Sequence, residues 1–210
     1  MLEKNNMKNT IQIIFFVVSF FLFGCSGMDK EIIPLEYVKY VEDEDNALKI
    51  SKEIGDVVYT LQYKPVDYLI ALEQKKNIID INEYTKRKME LNGMEYFTLE
   101  LKPKINNMEV LNIGAEDKNE YNARIQYASF DLQNDIYLID GLDIVPCGIY
   151  HFEQKYGLGN SVKLLLGFEK SSKTHKNLTV VFEDKILNGG VLKFLLMREN
   201  IDLLPKLKFF

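Results

Sequence analysis

From Phe130 onward the chain is a succession of short segments in which apolar and polar residues alternate. Period-2 alternation puts successive side chains on opposite faces of an extended strand, so each segment reads as a strand with one buried face. The expected strands cover 136–140, 148–153, 162–169, 178–183 and 191–197. Their separators carry turn residues: Gly141-Leu142-Asp143, Tyr156-Gly157-Leu158-Gly159-Asn160, Ser171-Ser172-Lys173 and Asn188-Gly189-Gly190. Residues 129–132 read as one further strand, with Gln133-Asn134-Asp135 as a hairpin turn into the next. Short strands at this spacing predict an antiparallel sandwich or a barrel-like sheet.

The N-terminal half mixes periods. Val57, Tyr59, Leu61 and Tyr63 share one face of a strand over 56–64, and Phe97, Leu99 and Leu101 share one over 94–101. Pro65 suits the first turn of a helix carrying Val66, Leu69 and Ile70. Asp80-Ile81-Asn82-Glu83 is a capping box and Asn92-Gly93 a stop, which brackets a second helix. Tyr121, Ile125 and Ala128 have helical spacing within 116–128. The expected fold is therefore α+β: mainly β with some α, with two or three helices in the N-terminal half and a single domain over 55–210.

The start of the chain has a different character. Ile11 to Phe23 is apolar apart from Gln12 and Ser19, follows Lys4 and Lys8, and ends in Leu22-Phe23-Gly24-Cys25. It is shorter than the roughly 20 residues a bilayer span needs. A basic start, a short apolar stretch and a small residue before the cut describe a secretory signal peptide over 1–24. The Leu-x-Gly-Cys ending resembles the lipobox of bacterial lipoproteins. Phe23 stands where that family more often has a small residue. The resemblance implies a diacylglycerol on the Cys25 sulfur, palmitate among its chains, and cleavage before Cys25. It implies a cell-envelope protein held to a membrane by lipid. Ser26 after the cysteine points to the outer membrane rather than the inner, with the domain facing the periplasm or the surface. Residues 25–54 then read as a lipidated tether that becomes ordered.

Removing the leader takes two lysines and one glutamate and moves the formal charge from −5 to −6. That balance gives no electrostatic footprint for nucleic acid or for an anionic membrane surface. Cys25 and Cys147 are the only cysteines. With Cys25 lipidated, no disulfide is expected, and stability must come from the core.

Candidate chemistry is sparse. No Gly-x-Ser-x-Gly occurs, and two histidines cannot complete a structural zinc site. His175 sits in a polar turn and reads as solvated. In Cys147-Gly148-Ile149-Tyr150-His151-Phe152-Glu153, strict alternation puts Cys147, Ile149, His151 and Glu153 on one face. His151 and Glu153 would stand about 7 Å apart and could flank a polar pocket; a structural, hydrogen-bonded role is expected for His151. Asp131, Asp135, Asp140 and Asp143 cluster near a turn, where aspartates collect for backbone reasons. Tyr37, Tyr40, Tyr121, Tyr127, Tyr137 and Tyr150 are more tyrosine than a core needs, and tyrosine-rich surfaces suit contact with proteins or glycans, but core packing with a wet hydroxyl is the expected fate of most of them. The expectation is a binding module for an envelope protein or ligand, without cofactor or metal and without enzymatic activity. The alternatives are a structural subunit of a surface assembly and, more weakly, a hydrolase using His151 and Glu153.

Overall fold

Eight strands pair in one antiparallel sheet. They are β2 (Lys49–Ile54), β3 (Val57–Tyr63), β4 (Met94–Pro103), β5 (Ile136–Asp140), β6 (Asp143–Glu153), β7 (Val162–Glu169), β8 (Asn177–Asp184) and β9 (Gly190–Met197), in the spatial order β2-β3-β4-β7-β6-β5-β8-β9. The computed structural model describes residues 30–74, 78–105, 108–153, 159–171 and 175–209. The sheet coils until its two edge strands, β2 and β9, come close, which makes it barrel-like. Tyr59 on β3 meets Phe182 on β8 across the interior, with ring centroids 6.2 Å apart. Two short strands, β1 (Glu31–Ile32) and β10 (Lys206–Leu207), pair in parallel and tie the start of the folded unit to its end.

The alternation read from sequence is the alternation observed. On β3 the series Val57, Tyr59, Leu61, Tyr63 is buried, and on β4 so are Phe97, Leu99 and Leu101. Leu164, Leu166, Phe168, Val180, Phe182, Phe194 and Leu196 complete one continuous apolar interior. At about 25 cal/mol per Å² of apolar surface removed from water, this interior is the main stabilising term of a fold in which Cys147 is a free thiol.

The helices are α1 (Pro34–Glu42), α2 (Val66–Gln74), α3 (Ile81–Leu91), α4 (Lys118–Phe130) and the short α5 (Arg198–Asp202). The Asp80 side chain accepts from the N–H groups of Asn82 and Glu83, and Asp117 does the same for Asn119 and Glu120, so both α3 and α4 are capped as their sequences suggest. None of the helices among the described residues is long and apolar enough to cross a membrane.

Two expectations change. Residues 31–54 belong to the folded unit, which begins at Glu31, rather than to a tether. Pro34 starts α1, and Tyr37 and Val41, at helical spacing, are fully buried. Residues 129–132 are not a strand: α4 runs through Phe130 and a 3-10 turn over Leu132–Asp135 leads directly into β5. Most of the tyrosine set packs in or against the core, as expected for it. Tyr37 is buried, the other five are half-buried, and the Tyr121 and Tyr127 hydroxyls donate to Glu109 and Asp135. The leader and Cys25 lie outside the described residues.

A candidate ligand site at one end of the barrel

The predicted pair on β6 is separated from Cys147 by one extra residue. Cys147 pairs with Phe168 of β7 and Ile149 with Gly167, so Gly148 is the bulged position. A bulge reverses the alternation beyond it. Cys147 points inward, and after the bulge it is Tyr150 and Phe152 that pack against the core, while His151 is exposed and Glu153 half-exposed. The shared face expected for Cys147 and His151 therefore does not form. Gly167 permits the arrangement, because a Cβ there would lie 2.9 Å from Cβ of Ile149.

On the outer face, His151 stands opposite Leu165 and Glu153 opposite Lys163. Neither side chain makes a hydrogen bond to another described residue, and His151 is exposed rather than buried as expected. His151→Ala should change the unfolding free energy by no more than about 0.5 kcal/mol, as surface substitutions do, in a urea denaturation compared with wild type. Cys147 is desolvated, which pushes its thiol up to about 11, and its Sγ donates to the Ile149 carbonyl at 3.1 Å. A thiol held protonated in this way is a poor nucleophile at neutral pH.

The polar chemistry of the molecule gathers elsewhere. Glu95 extends the inward series of β4 and Asp140 that of β5, which buries both carboxylates at the end of the barrel where β8 begins and β9 finishes. A carboxylate in such a place needs partners or it forces protonation or unfolding. Arg198 supplies them. It sits at the first position of α5, with its backbone N–H bonded to the Lys176 carbonyl at 2.9 Å. Its Nη2 donates to Oδ2 of Asp140 at 2.6 Å, and its Nη1 donates to Oε1 of Glu95 at 3.4 Å.

Tyr63 and His175 complete the cluster. The Tyr63 hydroxyl donates to Oε2 of Glu95 at 2.8 Å, and burial, with the neighbouring Glu95 charge, raises its pKa well above the ordinary phenol value. His175 Nδ1 lies 3.1 Å from Oδ1 of Asp140. A carboxylate at that position accepts the proton carried on Nδ1. The ring rests on Gly141, where a Cβ would come within 2.4 Å of it and where φ is +64°; both facts require glycine. His175 is thus an ordered part of the site rather than a solvated turn residue, and Asp140 is a buried ion partner rather than a turn former.

A cavity of about 610 Å³ opens beside the cluster and is lined by His175, Lys176, Asn177, Met197, Arg198, Glu199 and Asp202. Its size falls within the range of ordinary ligand pockets. Its described wall offers cationic, anionic and neutral polar groups around one thioether, and no serine, threonine or cysteine. Arg198 Nε is buried and has no hydrogen-bond partner among the described residues. No group of three or more His, Cys, Asp or Glu side chains among the described residues is placed to hold a metal ion.

At the opposite end of β8, a third buried carboxylate closes the barrel. Asp184 Oδ1 accepts from the N–H groups of Ile186 and Leu187, both at 3.0 Å, and Oδ2 accepts from the Gly189 N–H at 3.1 Å and the Tyr59 hydroxyl at 2.5 Å. All its partners are internal, so its role is to fold the loop into β9. Compared with known proteins, the chain matches no family model, no curated protein and no solved structure.

Proposed function

We propose that this protein is a lipid-anchored envelope protein whose barrel presents a binding cavity to a partner protein or a polar ligand. The observation that carries the binding half is the Arg198 cluster beside the cavity. Arg198 is gripped by two buried carboxylates, which fixes the cavity floor, and fixed polar groups bind with little ordering cost. Lys176, Asn177, Glu199 and Asp202 around that floor can meet a ligand that carries both donors and acceptors. His151 and Glu153 lie on an open outer sheet face with no described partner, which gives a hydrolase built on them little support.

The anchor half rests on Leu22-Phe23-Gly24-Cys25. Two or more acyl chains hold a protein on a membrane where one holds it only marginally. Wild type grown with labelled palmitate should carry the label and sediment with membranes. Cys25→Ala should carry none and should be released or remain unprocessed. Equal membrane retention of the two forms would remove the anchor from the account. For the binding half, Asn177→Trp fills the cavity mouth at an exposed position, and its envelope partners or bound small molecules are compared with those of wild type in detergent.

A second reading, a subunit of a surface assembly, has its own observation. The outer face of β6-β5-β8-β9 carries a cross-strand row of Ile144, Ile139, Thr179 and Leu195, with Ile144 69% and Leu195 53% exposed. Self-association through this face would cover it.

A further inference from the structure

The outer face of β2-β3-β4-β7 is polar and holds a groove of about 280 Å³, away from the site above. Pairing in the sheet sets Gln62 opposite Thr98 and Thr60 opposite Glu100, with Lys163 opposite Glu100 on the next strand. Lys64 reaches in from the end of β3 and Lys49 from β2. In a chain of net negative charge, the groove gathers three lysines, Lys49, Lys64 and Lys163, beside Glu42 and Glu100.

The carboxylates at the groove are engaged with hydroxyls. Glu42 accepts from Tyr68 at 2.7 Å and Glu100 from Ser161 at 2.8 Å. Lys49 pairs with Glu44 at 2.8 Å. Lys64 donates only to neutral groups, the Gln62 amide oxygen and the Tyr68 hydroxyl, both at 2.9 Å, and lies 4.3 Å from the Tyr68 ring centroid. Among the described residues no carboxylate lies within ion-pair distance of Lys64 or Lys163. Both are half-buried, and the Lys64 ammonium has given up part of its hydration without gaining a direct ion-pair partner among the described residues.

We propose that this groove is a binding site for an oxyanion — a carboxylate, phosphate or sulfate group of a small ligand or glycan — held between Lys64 and Lys163 with the Thr98 hydroxyl and Gln62 amide beside it. The anion supplies the counter-charge that the sheet withholds, and lysine donors bind such groups as point charges. Lys64 has the pKa such a site leaves behind: burial lowers it to about 8, Lys163 and Lys49 lower it further, and Glu42 and Glu100 act in the opposite sense. A bound anion must therefore raise the Lys64 pKa.

The test uses the full chain in detergent, titrated at constant ionic strength with inorganic phosphate, sulfate and acetate, and followed by NMR of backbone amides and lysine side chains. Saturable shifts confined to β2, β3, β4 and β7, with the Lys64 pKa rising, are expected. Lys163→Gln, an outer-face change that leaves the core intact, should weaken the titration about tenfold, the loss of one charge-assisted contact. Lys64→Met should weaken it at least as much, and Lys185→Gln, at a distant ion pair, should not. A preference for phosphate and sulfate marks a dianionic ligand, and binding of acetate alike marks a carboxylate. Absence of saturation with all three, or an unchanged titration in Lys163→Gln, would overturn the assignment. Either result leaves the cavity at Arg198 untouched, because no residue is shared between the two sites.

Discussion

Arg198→Met is expected to cost about 3–5 kcal/mol of folding stability, the cost of leaving buried carboxylates without their counter-charge. Asp140 is 1% exposed and Glu95 is 4% exposed, so neither can recover its hydration in the folded state. Methionine keeps much of the aliphatic length of Arg198 and isolates the loss of charge. Adding Glu95→Gln and Asp140→Asn to Arg198→Met should return most of the loss, because three neutral side chains no longer need a buried ion pair. Urea denaturation of wild type, the single variant and the triple variant makes the comparison, with an unchanged m-value as the sign that the same surface unfolds. A single variant within about 1 kcal/mol of wild type would mean that water already serves these carboxylates, and the rigid cavity floor would go with that result.

Asp184→Ala is expected to be nearly as damaging, at about 3 kcal/mol. It removes the acceptor of three backbone N–H groups and of the Tyr59 hydroxyl, and the Ile186 amide is buried. Tyr59→Phe removes one of these bonds and should cost about 1 kcal/mol. Gly189→Ala addresses the same corner sterically, since its Cβ would lie 2.5 Å from Asp184 Oδ2 and 2.8 Å from the Tyr59 hydroxyl. The order Asp184→Ala, then Gly189→Ala, then Tyr59→Phe in a denaturation series is the expected signature. Equal, small effects from all three would show that the loop from β8 to β9 is held by its apolar contacts instead.

Both clusters follow one rule that the sequence carries in plain view. Phe97, Leu99 and Leu101 are readable as an inward series, and stepping back two residues lands on Glu95. Stepping forward two residues from Ile136 and Leu138 lands on Asp140, and from Leu178, Val180 and Phe182 on Asp184. A carboxylate at an inward position of an alternating strand is a demand for a partner, and each of the three has one. What alternation does not carry is the partner's identity. Arg198 and His175 lie outside the strands, one at a helix start and one just before β8, and the pairing of β5 with β8 and of β8 with β9 brings them to Asp140.

Local irregularity limited the rest. The bulge at Gly148 reverses one strand, and a one-residue slip moves every later side chain to the other face, which is why the shared face for Cys147 and His151 was drawn wrongly. Residues 34–41 carry a helical spacing in Pro34, Tyr37 and Val41, but the acidic cluster that follows gives them the look of a linker. The cluster itself folds into a 3-10 turn in which Asp43 accepts the Asp45 N–H. Strand β2 is an edge strand whose side chains are half-buried or exposed throughout, so it shows little alternation. Its signal lay in the turn that follows, where Gly55 adopts φ +56°.

The central claim, that the cavity beside Arg198 is where this protein meets its partner or ligand, is tested most directly by placing a photo-crosslinking residue at Asn177 in intact cells. The account predicts one discrete adduct from Asn177, lost when Asp202→Lys reverses the charge of the cavity rim, and absent when the crosslinker stands at Val191 on the outer face of β9. No adduct from Asn177, or the same adduct from both positions, would contradict it, and a ladder of self-adducts from Val191 alone would favour the assembly subunit instead.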